Sequence, residues 1–198
     1  MPSVIDFFSS VPDKSGPQLK ELRLGTDPVM VLAFTSDADD ASLHWINDAA
    51  VKTYVVCPGS HCPVCFLGSA PTKTLLLPLL ELEDREIKVL RLSTRRQPGS
   101  LGAVLIPHLM TNEIANKVLI IKRDGNKYAV AARPLQPLAD RGEDLIRDFL
   151  AAKAGGLRLE TAFRAMTAAE LADVPTIATK LSAIGGWSEP EDVSPEEA

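Results

Sequence analysis

All three cysteines of this 198-residue chain fall within nine positions, as Cys57, Cys62 and Cys65 of "YVVCPGSHCPVCFLG". Their spacing, C-x4-C-x2-C, closes on "CPVC", a knuckle in which two thiolates reach one ion from a single tight turn. Pro58 and Pro63 stiffen that turn, and Gly59 and Gly68 let the backbone fold around the sulfurs. A redox pair also uses C-x-x-C, but at a helix start within a βαβ pattern and with no need of a third cysteine. No such pattern surrounds these residues. An odd cysteine count argues against a disulfide framework and for a reducing compartment. The cluster therefore reads as three corners of a structural zinc site.

A closed tetrahedral site needs a fourth protein ligand. The chain offers three histidines, His44, His61 and His108. Adjacent residues rarely reach one ion from a single chain direction, which counts against His61, the neighbour of Cys62. His108 lies in a later helical segment. His44 stands thirteen residues before Cys57, where an intervening hairpin can return it to the knuckle; the competing reading is a surface histidine beside Trp45. A catalytic zinc would need an open position and a nearby base. The sequence holds no H-x-E, P-loop, Gly-rich dinucleotide fingerprint or G-x-S-x-G elbow. The expectation is structural zinc in a protein that is not an enzyme.

The elements that must position these residues read as follows. A β-branched run near residues 28–34 forms a first strand, and residues 37–56 form a loop with a short helical turn. "KTLLLPLLEL" (73–82) and "DREIKVLRLS" pair as a hairpin, with Pro78 marking a bulge or an edge. Residues 99–115 form a short helix interrupted by Pro107, with Ser100 as N-cap. "KVLIIKR" and "KYAVAARPL" form a second hairpin across an Asp-Gly turn. Helical periodicity covers 141–153 and 160–185, and an acidic tail closes the chain. Five strands with a helix between the third and fourth is the order of an oligonucleotide-binding (OB) barrel, although a generic α+β domain gives much the same string. The predicted fold is mainly β with appended helices: a five-stranded OB-fold barrel and zinc insertion over 1–138, the insertion at about 40–70 after the first strand, a helical region over 139–185 and a disordered acidic tail over 186–198.

Composition bounds the function. With 45% hydrophobic and 24% charged residues the chain is an ordinary globular protein. No secretory signal is expected at the N-terminus, and the apolar runs are too short to cross a bilayer, so the expected location is the cytoplasm with no membrane partner. The net charge of −5 hides a division: −4 over residues 1–72, +5 over 73–133 and −6 over 134–198. Such a local positive field guides an anionic ligand whatever the total.

At this point His44, Cys57, Cys62 and Cys65, as H-x12-C-x4-C-x2-C, resemble the zinc site of the single-stranded DNA-binding proteins of tailed bacteriophages. "CPGSHCPVC" followed by "KTLLLPLLELEDREIKVLRLS" looks like that family's zinc loop running into its second and third strands. "KVLIIKRDGNKYAVAARPL" is similar to its closing hairpin. The resemblance covers roughly residues 20–135 and the tail. It implies an OB barrel with an inserted zinc subdomain, sequence-independent binding of single-stranded DNA in phage replication, recombination or repair, a location in the host cytoplasm, and an acidic tail that contacts replication or recombination proteins. The chain departs from the family in its few aromatics, 5% of residues, and in lacking a strongly basic N-terminal arm.

Binding a single strand needs a positive groove and flat side chains for stacking. The basic segment supplies Lys73, Lys88, Arg91, Arg95, Arg96, Lys122, Arg123 and Lys127 for phosphates, and Tyr54 and Tyr128 for bases; the bland reading of the cations is a solvated face. Phe66 either stacks a base or lids the zinc knuckle, and Trp45 is a further candidate platform. RNA is a close variant of the DNA reading, since nothing reads a 2′-hydroxyl. The alternative function is a zinc-stabilised protein-interaction module, binding host transcription or replication machinery without nucleic acid. The tail, with Trp187, Glu189, Glu191, Asp192, Glu196 and Glu197, either recruits basic partners or occupies the positive groove. Deleting residues 187–198 is expected to raise affinity for single strands and lessen its salt sensitivity at low salt; unchanged binding isotherms would remove the groove-occupying role.

Overall fold

Strand-forming sequence here is mostly β-branched and leucine-rich, and in the computed structural model it forms a mainly β, mixed eight-stranded sheet with helices on both faces. The structure describes residues 19–95, 97–134 and 142–188. The strands are β1 (Lys20–Glu21), β2 (Val29–Ala33), β3 (Asp39–Asn47), β4 (Lys52–Val56), β5 (Thr72–Glu81), β6 (Glu86–Ser93), β7 (Lys117–Asp124) and β8 (Lys127–Pro134). The helices are α1 (Pro63–Phe66), α2 (Leu101–Met110), α3 (Glu143–Ala154), α4 (Ala168–Ala172) and α5 (Pro175–Ala183), with a 3₁₀ turn at Leu159–Ala162.

The spatial order is β1-β6-β5-β2-β7-β8. β2 and β3 run in succession along the same edge of β5: Leu32 faces Leu80 and Asp39 faces Leu76. Counted as one bent strand, they give the order β7, β2/β3, β5, β6, in which the fourth strand returns to lie beside the first. That order is a Greek key. Pro78 falls where the β2 ladder has ended and the β3 ladder has not begun, so its missing N–H leaves no bond unmade on that side. Pro78 is thus at a local gap on one side of β5 and not on a bulge, since its pairing with Val89 of β6 is in regular register. The β7–β8 turn is Gly125-Asn126 between the paired Asp124 and Lys127, with Gly125 at φ 58°. Glycine as first central residue with positive φ is the II′ geometry that suits the twist of a hairpin.

Three departures from the sequence reading have physical causes. Residues 37–56 are not a loop with a helical turn but largely the β3–β4 hairpin. β1 is an additional parallel strand on β6, placed by pairing Lys20 with Lys88. The sheet, moreover, is not closed into a five-stranded barrel: among the described residues no ladder joins β6 to β8. Instead α2 packs against both, and a backbone bond from β8 toward that side runs from Tyr128 N–H to the Gly99 carbonyl at 2.9 Å.

Burial follows from this layering. β5 is buried on both faces from Leu76 to Leu80. On one side Leu77, Leu79, Leu90, Leu92, Leu119 and Ile121 pack under Leu101, Leu105 and Ile106 of α2. On the other, Leu43, Leu76 and Val89 pack against Phe149 of α3 and against Leu159 and Phe163. The α2 N-terminus is capped by Ser100, whose hydroxyl accepts from Ala103 N–H at 3.2 Å. Gly102 brings this helix onto the end of β6, since a Cβ there would overlap the Ser93 carbonyl oxygen.

Gly102→Ala is therefore expected to destabilise the protein by about 1–3 kcal/mol through backbone displacement, despite the gain of roughly 1 kcal/mol in helix propensity. Denaturant unfolding checks it; equal or greater stability would show that α2 can shift freely.

Candidate metal centre and the cleft beside it

The metal site is built where β3 outruns the sheet. Leu43 is the last β3 residue paired with β5 and the first paired with β4. His44 follows it on the opposite face, and both are buried. Cys57 extends β4 by one residue and donates its N–H to Ser42 O at 2.9 Å. Gly59, at φ 95°, reverses the chain, and Cys62 precedes α1, whose first residue, Pro63, is pre-set for a helix start. Cys65 lies within that single turn, and Gly68, at φ 79°, accepts the left-handed exit.

His44, Cys57, Cys62 and Cys65 place their ligand atoms within 4.8 Å of one another. His44 Nε2 lies 3.4 Å from both Cys62 Sγ and Cys65 Sγ, and Cys57 Sγ lies 3.8 Å from Cys65 Sγ. Tetrahedral bond lengths of about 2.3 Å to sulfur and 2.0 Å to nitrogen imply edges of about 3.8 Å and 3.5 Å. The four residues are close enough to hold one metal ion, and the three separations given lie near those edges. Burial lowers the His44 pKa, which keeps the imidazole neutral as a ligand must be. Burial also pushes up the thiols of Cys62 and Cys65, the latter to about 12. Without a cation to offset burial, Cys62 and Cys65 favour their protonated forms. His61 is exposed outside the cluster, and His108 on α2 instead contacts Glu113, Nδ1 to Oε2, at 2.7 Å.

This small lobe has its own core. Ile46, Val51, Val55, Cys62 and Val64 pack against Leu171, Val174, Ile177 and Leu181 of the C-terminal helices. Asp48, buried at the β3–β4 turn, accepts from Ala50 N–H at 2.8 Å and from Thr176 N–H in the first turn of α5 at 3.0 Å. Those two backbone bonds hold its carboxyl below the usual range. Trp187 also packs on this core, beside the knuckle, rather than standing in a free tail. Glu189, Glu191, Asp192, Glu196 and Glu197 lie outside the described residues.

Next to the lobe, a cleft of about 540 Å³ runs between the β3–β4 hairpin, β1, β6 and the tip of β7–β8. Four of the sequence-predicted residues line it: Tyr54, Arg91, Arg123 and Tyr128. Trp45, Lys52 and Arg23 join them, and Glu21 is the one acidic side chain of the lining. Lys122 and Lys127 are exposed on the adjoining hairpin tip, and Lys73 and Arg95 are exposed at the neighbouring end of β5 and β6. Arg96 lies outside the described residues. Lys88 is not brought to the cleft. It is a largely buried lysine bonded to Glu81 and Asp84, whose hydrogen bonds and charges outweigh burial and raise its pKa. Phe66 is exposed beside the metal knuckle, away from this cleft.

Sequence reasoning left out Lys52 and Arg23. Lys52 alternates with Tyr54 along β4, a signal legible only once residues 37–56 are seen as a hairpin. Arg23 follows β1 and carries no local signal. Among the described residues no helix is long and apolar enough to cross a membrane. Comparison with family models, with curated proteins and with solved structures returns no match.

Metal analysis of the purified chain is expected to find one ion per chain. Cys62→Ser should lose it and lower the stability of the lobe, since metal binding at such a site is also folding energy. Because the ligands must shed protons that burial makes hard to lose, binding should release protons and weaken as pH falls; a pH-independent metal affinity would exclude thiolate ligation.

Proposed function

We propose that this chain is a non-catalytic, sequence-independent single-stranded DNA-binding protein. Its open Greek-key sheet is read as a partly open barrel of the OB type, carrying a structural zinc lobe as an insertion after its first strand. The observation that carries the reading is the composition of the cleft. Both tyrosines of the chain and one of its two tryptophans line it, together with Arg23, Lys52, Arg91 and Arg123. A stacking surface edged with cations is what sequence-independent binding of a single strand requires. The three-thiolate, one-imidazole donor set supports zinc, which would hold β3, β4 and α1 together and so fix one wall of the cleft. The acidic residues beyond Ser188 are assigned contacts with replication or recombination proteins, and the phage setting rests on the zinc-site resemblance alone.

One observation favours the second reading, a protein-interaction module. Phe66, 58% exposed, flanks a hollow beside the metal knuckle that Trp187 also lines. Among the described residues no lysine or arginine lines that hollow, so it ranks behind the cleft.

Fluorescence anisotropy with labelled oligo-dT, a duplex of equal length and an RNA strand, at two salt concentrations, separates these readings. Micromolar or tighter binding to oligo-dT is expected, with log K falling by about 0.7 per phosphate contact for each tenfold rise in salt. Arg123→Ala should make that dependence shallower by about one contact. Absence of binding to all three probes would leave the interaction module.

A further inference from the structure

Tyr54, one of the rings the sequence offers for stacking, is already covered by its neighbours. Arg91 lies with its guanidinium carbon 3.7 Å above the centroid of Tyr54. Trp45, directly across the β3–β4 ladder from Tyr54, leans on the same ring at 4.9 Å with planes inclined by 55°. Arg91 is held there from the other side, because its Nε donates to Glu21 Oε1 at 3.2 Å, and both members of this ion pair are more than three-quarters buried. Trp45, by contrast, is 49% exposed while lining the cleft. A half-exposed tryptophan, backed by a tyrosine and lining a positive cleft, offers ring surface for stacking at little conformational cost.

We propose that Trp45 is the principal base-stacking residue of the cleft. Tyr54 is its backing, and Arg91 is a positioning residue that stiffens the stack rather than a phosphate contact. This rests on the single-strand reading and specifies how that strand is held. The charge of Arg91 is neutralised by Glu21, so Arg91 releases no counterion on binding. The phosphate contacts fall to Arg23, Lys52 and Arg123, which line the cleft around the stack. The tryptophan is placed by its neighbour in the chain: His44 fixes one side of β3 in the metal cluster, and the alternation of the strand turns Trp45 out into the cleft.

The arrangement gives Arg91 and Arg123 opposite signatures in one experiment. Binding to oligo-dT is followed by anisotropy across a salt series for the wild-type chain and for Trp45→Ala, Trp45→Phe, Arg91→Gln, Glu21→Gln and Arg123→Ala. Circular dichroism and metal content confirm that each variant is folded. Trp45→Ala is expected to lose about 5- to 150-fold in affinity, the range for one stacked base, and Trp45→Phe to recover most of it. Arg91→Gln should leave the salt slope unchanged, whereas Arg123→Ala makes it shallower. Glu21→Gln, which frees the guanidinium, should steepen it by about 0.7. In the Trp187→Phe background Trp45 is the sole tryptophan, and its emission should be quenched as oligo-dT saturates the protein.

Wild-type affinity in Trp45→Ala, unquenched Trp45 emission at saturation, or an Arg91→Gln slope as shallow as that of Arg123→Ala would each overturn the assignment while leaving single-strand binding intact. Failure of the wild-type chain to bind oligo-dT would overturn both.

Discussion

The structure turns on the change of partner made by β3 at Leu43. Up to that residue the strand is part of the main sheet, paired with β5; from it onward the strand pairs with β4 alone. The switch explains why successive residues, Leu43 and His44, are both buried although a strand alternates its faces. Leu43 completes the packing against α3 and the 3₁₀ turn, while His44 already belongs to the metal cluster. One residue later the same strand delivers Trp45 to the cleft. Sheet, metal lobe and cleft are thus joined by three consecutive side chains, and a slip of one residue in the pairing would misdirect all three.

A hairpin of this size cannot bury enough apolar surface to be stable alone. Two things make up the deficit. The ligand cluster ties β3, the end of β4 and α1 to one point, and the C-terminal helices cover what remains. The chain returns to the hairpin by a parallel bridge from Arg164 to Val55, and Val56 N–H donates to Arg164 O at 3.1 Å. Asp48 then fastens the far end of the hairpin to the start of α5. The helical region that periodicity marks off at the C-terminal side supplies, through Leu171, Val174, Ile177 and Leu181, the other half of the metal lobe's core.

Local patterns made much of this readable from sequence. The β5–β6 and β7–β8 hairpins declare themselves through alternation and turn residues, α2 through the Ser100 cap, and the metal ligands through cysteine spacing. What sequence could not show depends on pairing between distant segments. β1 is two residues long and exists because Lys20 and Glu21 meet β6. The β3–β4 hairpin hides because its acidic start and Ala-Ala turn lack strand propensity, and because its apolar pattern changes phase at Leu43–His44. Charge was legible, but its destination was not: Lys88 and Arg91 stand three apart on one strand and so face opposite sides of it. One is consumed by Glu81 and Asp84, the other reaches the cleft.

Scarce aromatics looked like a weakness for a stacking surface, yet scarcity matters less than placement. The interior is built almost entirely from Leu, Val and Ile, with Phe34 meeting Phe149 edge-on at 5.6 Å and Phe163 as another buried ring. Phe34, Phe149 and Phe163 therefore serve the core, and the amphipathic rings lie where one face is wet: Trp45, Tyr54 and Tyr128 in the cleft, Trp187 at the knuckle. Neither tyrosine is fully buried: each packs one side on the core, with Arg91 over the Tyr54 ring and Arg123 directly across the ladder from Tyr128. Because each base offers a flat face and each phosphate a charge, a few such rings backed by cations suffice, provided a rigid frame holds them in place. That frame is the hairpin that the metal ligands and the C-terminal helices jointly brace.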